Sequence, residues 1–195
     1  MLSNQPGEKE DPRVTRTRDL ILDAFTELLP EKGFQSLTVQ NITERAKINR
    51  ATFYAHFPDK YALLDFSIRK TFRQELEKRT FNACHYSDEN LRALIVVVCE
   101  FVSNANSHCA FTDPQHESLV ETQVKNQLQG LLQKWVEQVG SGMDSKTAAT
   151  AASWALYGLA LQWSHDKNKT RPSAEQFADQ IFPLVMVNLS LVQAV

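Results

Sequence analysis

Between the break at Pro30–Gly33 and the proline at Pro58, the chain writes two short helices, and the second carries an aromatic out of step with its core. The stretch is INRATFYAHFPDK, Ile48 to Lys60. Helical neighbours lie three or four residues apart, so Phe53 and Phe57 share a face. Ile48 is grouped with that face, while Tyr54 and His56 cannot both join it. The first short helix is the segment SLTVQNITERA, with Ser36 or Thr38 as N-cap and Val39, Ile42 and Ala46 on one face. Asn49 can cap the second helix, which must end before Pro58. Ahead of both lies a longer helix from Arg13, with Val14, Ile21, Leu22, Phe25, Leu28 and Leu29 at helical spacing, ended by Pro30 and Gly33. Two short helices joined by a tight turn and packed on a longer first helix make a helix-turn-helix. Its second short helix has two duties. One face locks into the domain, and the other enters the major groove of DNA. Tyr54 belongs to the second face, flanked by the donors of Arg50, Thr52 and His56.

The rest of the chain also reads as helix. It has six glycines, no Asn-Gly or Asp-Gly hairpin signal, and little alternation of period two. A long fourth helix opens at Pro58 or Asp59, with Leu64, Ile68 and Phe72 inward. IVVV alone resembles a strand, but Leu91, Leu94, Ile95, Val98, Phe101, Val102 and Ala105 keep a helical period over a longer run, so it reads as a buried helix. HCAFTDPQ reads as a loop. Helices follow at 115–139, 144–166 and 174–193, with Pro183 expected to kink the last or mark its true start. The fold class is therefore all-α. The expected organisation is a disordered segment at 1–12, a helix-turn-helix domain at 13–62 and a helical domain at 63–195, linked by the fourth helix.

Charge divides along the same line. Between Arg13 and Arg79 there are 13 Lys and Arg against 9 Asp and Glu; from Thr80 onward there are 7 against 11. A basic front part suits a polyanion. The motifs GxSxG, HExxH, the P-loop and GxGxxG are all missing, so an enzyme is not expected, nor a cofactor. No apolar run reaches the ~18 residues of a membrane span, and the N-terminus has no signal-peptide core. Cys84, Cys99 and Cys109 are odd in number and without CxxC spacing, which suits free thiols in a reducing cytoplasm. His108, Cys109 and His116, near Asp113, match no standard zinc spacing, so no metal is expected.

From Thr17 to Phe66 the chain resembles the DNA-binding domain of TetR-type bacterial transcriptional regulators. Thr38, Val39, Ile42, Ala46, Ile48, Thr52, Phe53, Tyr54, Phe57, Lys60, Leu63 and Leu64 match that pattern in order and spacing. Lys47 departs from it, standing where the family most often has glycine; a lysine can take the left-handed conformation at modest cost. The resemblance implies a repressor that binds an inverted-repeat operator in double-stranded DNA as a homodimer and is released by a small-molecule effector. The alternative is a helical dimeric interaction module, or a ligand-independent DNA-binding protein of the same fold. The candidate DNA-binding residues are Thr38, Gln40, Lys47, Asn49, Arg50, Ala51, Thr52, Tyr54, His56 and Lys60. Arg13, Arg16 and Arg18 are either a solvated helix start or an arm on phosphate. Candidate pocket residues are Phe101, Asn104, His108, Trp135, Trp154 and Tyr157, with ordinary core or interface packing as the alternative for the aromatics. SWALYGLALQW and IFPLVMVNLSLV resemble the family's last two helices, which form a four-helix bundle between subunits, so Leu156, Leu159, Trp163, Leu189 and Val192 are the candidate dimer contacts.

Overall fold

The computed structural model describes residues 11–79, 85–108, 114–140, 142–168 and 170–189, and of residues 106–108 and 114–116 the backbone alone. Among the described residues there are eight helices and no strand. They are α1 (Pro12–Lys32), α2 (Val39–Ala46), α3 (Arg50–His56), α4 (Lys60–Arg79), α5 (Asp88–His108), α6 (Pro114–Val139), α7 (Ser145–His165) and α8 (Ala174–Leu189). The chain divides into two compact units, one ending at Leu64 and the other starting at Asp65, so the division falls within α4.

Each boundary in the first unit has a local cause. Asp11 caps α1 by accepting a 2.9 Å hydrogen bond from the Arg13 amide, and Pro12 stands in the first turn, where a missing N–H costs nothing. The expected disordered segment therefore stops short of Asp11 and Pro12; residues 1–10 lie outside the described part. Pro30 sits inside the last turn of α1, and the helix ends only at Gly33, whose φ of 71° favours glycine. Thr38 caps α2 in a reciprocal box: its hydroxyl accepts from the Asn41 amide and the Asn41 side chain accepts from the Thr38 amide, both at 3.2 Å. Lys47 ends α2 in the left-handed conformation, φ 55° and ψ 42°. Asn49 then caps α3, its side-chain oxygen accepting from the Thr52 amide at 2.7 Å.

A single apolar core holds these helices. Ile21, Leu22, Ala24, Phe25 and Leu28 of α1 are buried, with Phe34, Leu37, Ile42, Phe53, Phe57, Leu63 and Leu64. Phe25 meets Phe34 edge-on at 6.4 Å. Neither α2 nor α3 is long enough to be stable alone in water, so this burial is what keeps them helical. Ile48, Val39 and Ala46 are only half-buried. The inward face of α3 is thus Phe53 and Phe57, and Ile48 belongs to the turn before it.

In the second unit α5 is the buried helix that its period indicates, with Leu91, Leu94 to Cys99 and Val102 inside. Val120, Val124, Leu128, Leu132 and Trp135 line one face of α6 at helical spacing. The small residues Ala148, Ala149, Ala152 and Ala160 bring α7 close to its neighbours. Pro183 lies within α8 and does not mark its start, because the helix begins at Ala174. Of the apolar tail expected to continue this helix, residues 190–193 lie outside the described part, as do 109–113 of the expected loop.

Candidate nucleic-acid interface

The two faces of α3 differ sharply. Phe53 is fully buried, whereas the adjacent Tyr54 is 47% exposed. Their rings meet edge-on at 5.5 Å and 89°, so the buried ring braces the exposed one. One turn earlier, Arg50 Nη2 lies 3.5 Å from the Tyr54 hydroxyl, near the limit for a hydrogen bond. Both groups are free to exchange this weak contact for a phosphate or a base edge. Ala51 is exposed beside them, leaving room for a groove wall, and His56 is half-buried at the last turn. Lys47 is exposed at the turn between α2 and α3.

Other candidates are committed to the frame. Thr38 and Asn49 use their side chains as caps. The Thr52 hydroxyl donates to Asn49 Oδ1 at 2.9 Å. Gln40 donates along α2 to Glu44 at 2.9 Å. Lys60 also has partners within the domain. A candidate for DNA by its sequence position, it donates through its ammonium to the carbonyls of Phe34, Gln35 and Leu37 at 2.9–3.0 Å. Three donors are all that an ammonium has.

One contributor to the frame was not legible as such. Arg45 at the end of α2 reaches back to α1, pairing with Glu27 at 3.0 Å and Glu31 at 3.0 Å. The hydrogen bond from Arg45 holds the Glu31 carboxyl below its ordinary range, and the two carboxylates raise the guanidinium in turn. These contacts span 18 and 14 residues of sequence, beyond any helical period.

In the second unit the five pocket candidates with described side chains have different surroundings. Trp135 is fully buried, edge-on to Tyr86 at 6.2 Å. Phe101 packs edge-on against Phe72 at 5.1 Å. Asn104 is exposed, and Trp154 is 62% exposed, with Lys125 Nζ 3.6 Å above its ring. Tyr157 is buried, and desolvation, aided by the charges of Glu121 and Glu117, pushes its hydroxyl up to about 12. Trp154 and Tyr157 meet a common partner, Lys125, which also pairs with Glu121 at 2.6 Å. The side chains of His108 and His116, and the residues Cys84, Cys109 and Val192, lie outside the described part.

The dimer candidates need a parallel correction. Leu156 and Leu189 are fully buried within one chain and Trp163 nearly so; Trp163 Nε1 donates to the Pro172 carbonyl at 3.0 Å. They are core of a single subunit. Leu159 is half-buried. The apolar groups that α7 and α8 present outward are Trp154, Leu184 at 55% and Val187 at 77% exposure.

Residues 21–65 match the family described as "Bacterial regulatory proteins, tetR family". The chain is 37% identical over 81 residues to the HTH-type transcriptional regulator YxbF of Bacillus subtilis (strain 168), a match taking in 38% of this chain and 21% of that protein. It is 27% identical over 166 residues to the HTH-type transcriptional regulator EthR of Mycolicibacterium smegmatis, covering 82% of this chain and 74% of that one. Against YxbF and two further Bacillus subtilis regulators, the chain spans between about a fifth and a third of the relative's length. A solved TetR-family regulator from Streptomyces coelicolor A3 shares the fold, with a TM-score of 0.63 over 94% of this chain and 99% of that one at 18% identity.

Proposed function

We propose that this chain is a member of the tetR family of bacterial regulatory proteins, which its residues 21–65 match, and is a DNA-binding transcriptional repressor that works as a homodimer and is released by a small molecule. The observation that carries the proposal is the split face of α3. A helix of seven residues buries Phe53 and leaves Arg50, Ala51 and Tyr54 outward, behind a capped turn. Such a helix reads the major groove through a few side chains, and the family resemblance assigns it that role. Arg50 and Tyr54 supply donors toward DNA, and Lys47 adds a positive charge at the turn. Thr38, Asn49 and Thr52 set where α3 points.

Two-fold pairing supplies the second half of the operator. The exposed Trp154, Leu184 and Val187, with the small Ala151 and Gly158 on the outward side of α7, support a subunit contact through α7 and α8. Leu156 and Leu189 then act behind that contact, by shaping the helices. The effector site belongs to the second unit, from Asp65 onward. A ligand acts by preferring one subunit arrangement over another, so it releases DNA only to the extent of that difference. Among the described residues, no helix is long and apolar enough to cross a membrane.

The test is a selection. Purified protein is mixed with fragmented genomic DNA, and the retained fragments are sequenced. The reading expects enrichment of a few sites with inverted-repeat symmetry; retention indistinguishable from random DNA removes it.

A further inference from the structure

Lys60 is the first residue of α4, where the helix carries its partial positive charge. An ammonium there is electrostatically misplaced unless negative groups lie close to it. They do: the carbonyl oxygens of Phe34, Gln35 and Leu37 stand at 2.9, 3.0 and 3.0 Å from Nζ. The faces of Phe34 and Tyr61 lie at 4.7 and 5.7 Å from the same nitrogen, adding cation–π attraction. The three carbonyls come from the turn that joins α1 to α2, and that turn runs directly into Thr38, the cap of α2. At its other end, α2 is tied to α1 by Arg45 through Glu27 and Glu31. The short helix is thus pinned at both ends. From it a turn of three residues, Lys47 to Asn49, with Lys47 left-handed, leads to α3.

We propose that Lys60 is a positioning residue. Its ammonium gathers the three carbonyls of the turn and so fixes where α2 begins and, through α2, how α3 is aimed. It does not neutralise a phosphate. The functional consequence rests on the DNA-binding reading above, but the clamp itself does not. Arginine cannot take its place, because a planar guanidinium fork does not match three carbonyls converging on one point, whereas arginine serves a phosphate at least as well as lysine does.

Three variants separate the roles: Lys60→Met, Lys60→Arg and Lys60→Gln. Binding is measured as a function of salt on a duplex retained by the wild-type protein in the selection above, with a scrambled duplex of the same length. Lys60→Met is expected to weaken binding tenfold or more at every salt concentration, with the slope of log K against log salt unchanged. Lys60→Arg is expected to bind no better. Lys60→Gln, which keeps two N–H donors, should fall between wild type and Lys60→Met, and it stands in if Lys60→Met unfolds. A salt slope reduced by about 0.9 for each protomer, with binding restored by Lys60→Arg, would overturn the proposal in favour of a phosphate contact. Wild-type affinity in Lys60→Met overturns it too.

Amide hydrogen exchange decides the clamp without DNA. The amides of Leu37, Asn41 and Ile42 bond to Gly33, Thr38 Oγ1 and Thr38 respectively. They should exchange tenfold or more faster in the Met and Arg variants, while amides of α7 keep their rates. Unchanged protection at all three refutes the clamp. A wild-type protein that retains no fragment refutes the DNA reading alone, and the exchange result still decides this one.

Discussion

Replacing Arg50 and Tyr54 together by alanine separates reading DNA from holding the domain, when set beside Phe53→Ala in the same helix. Tyr54 is 47% exposed and its one polar contact within the helix is the 3.5 Å approach of Arg50. Removing both side chains exposes no buried donor and opens no enclosed cavity. The double variant should therefore lose no more than about 1 kcal/mol of stability, the range of ordinary surface changes. Phe53 has no exposed surface and packs against the rings of Tyr54 and Phe57 at 5.5 and 6.0 Å. Truncating it should cost about 3–5 kcal/mol, most of what a small domain has. DNA affinity runs the other way. Each lost base or phosphate contact is worth about 1–3 kcal/mol. With two side chains on each of two protomers, a loss of a thousandfold or more is expected, since about 4 kcal/mol suffices for that factor. Thermal melting and fluorescence anisotropy on a selected duplex measure both quantities. If the double variant melts early while Phe53→Ala does not, or if it binds DNA like the wild type, the face of α3 has been misassigned.

Val187→Asp, at a position 77% exposed in one chain, should leave melting of the isolated chain little changed but dissociate the dimer in light scattering, because the carboxylate would be buried unpaired at the contact; Leu189→Asp should unfold the second unit instead, and a dimeric Val187→Asp would place the contact elsewhere. Glu31 is held low by Arg45, so its contribution is present above the ordinary carboxyl value of 4.5 and is lost as pH falls through the lower value of the folded state. Glu31→Gln should narrow the loss of melting temperature between pH 6 and pH 3, and an equal loss in both proteins contradicts that coupling. Burial, helped by the charge of Glu100, pushes the Cys99 thiol up to about 12. Mass spectrometry should then find Cys99 unlabelled by a thiol reagent at pH 8 until the protein unfolds; rapid labelling of the native protein refutes this.

How far the sequence revealed the molecule depended on the range of the interaction. Caps act over three or four positions, so Thr38 and Asn49 were legible, as was the helical period through IVVV in α5; the left-handed Lys47 was legible only through the family resemblance, which puts glycine there. The inward and outward faces of α3 were legible because Phe53 and the capping Phe57 are four residues apart and several of the residues between and before them are polar. By contrast, IFPLVMVNLSLV is apolar on all sides, so its period could not say that Leu189 points inward while Leu184 and Val187 point outward. The same ambiguity misassigned Leu156 and Trp163 of α7. The partners of Lys60 were hidden for a different reason. They lie 23–26 residues away, and a lysine at a helix start suits a phosphate by every local rule. Only the folded turn shows that its donors are already taken. Asp11 and Pro12 were misplaced by composition, since a polar, proline-bearing segment can still supply a cap.

The central claim is that two copies of α3 read DNA together. Hydroxyl-radical footprinting on a selected fragment tests it most directly, with wild-type protein and the Arg50→Ala, Tyr54→Ala double variant side by side. The account predicts two protected patches related by a two-fold axis, centred about 34 Å apart on one side of the duplex, and their disappearance in the double variant. Between 50 and 200 mM salt the wild-type protection should weaken steeply, by about a thousandfold in affinity for six to ten phosphate contacts. A single or asymmetric patch, or one that survives loss of both side chains, would contradict the account.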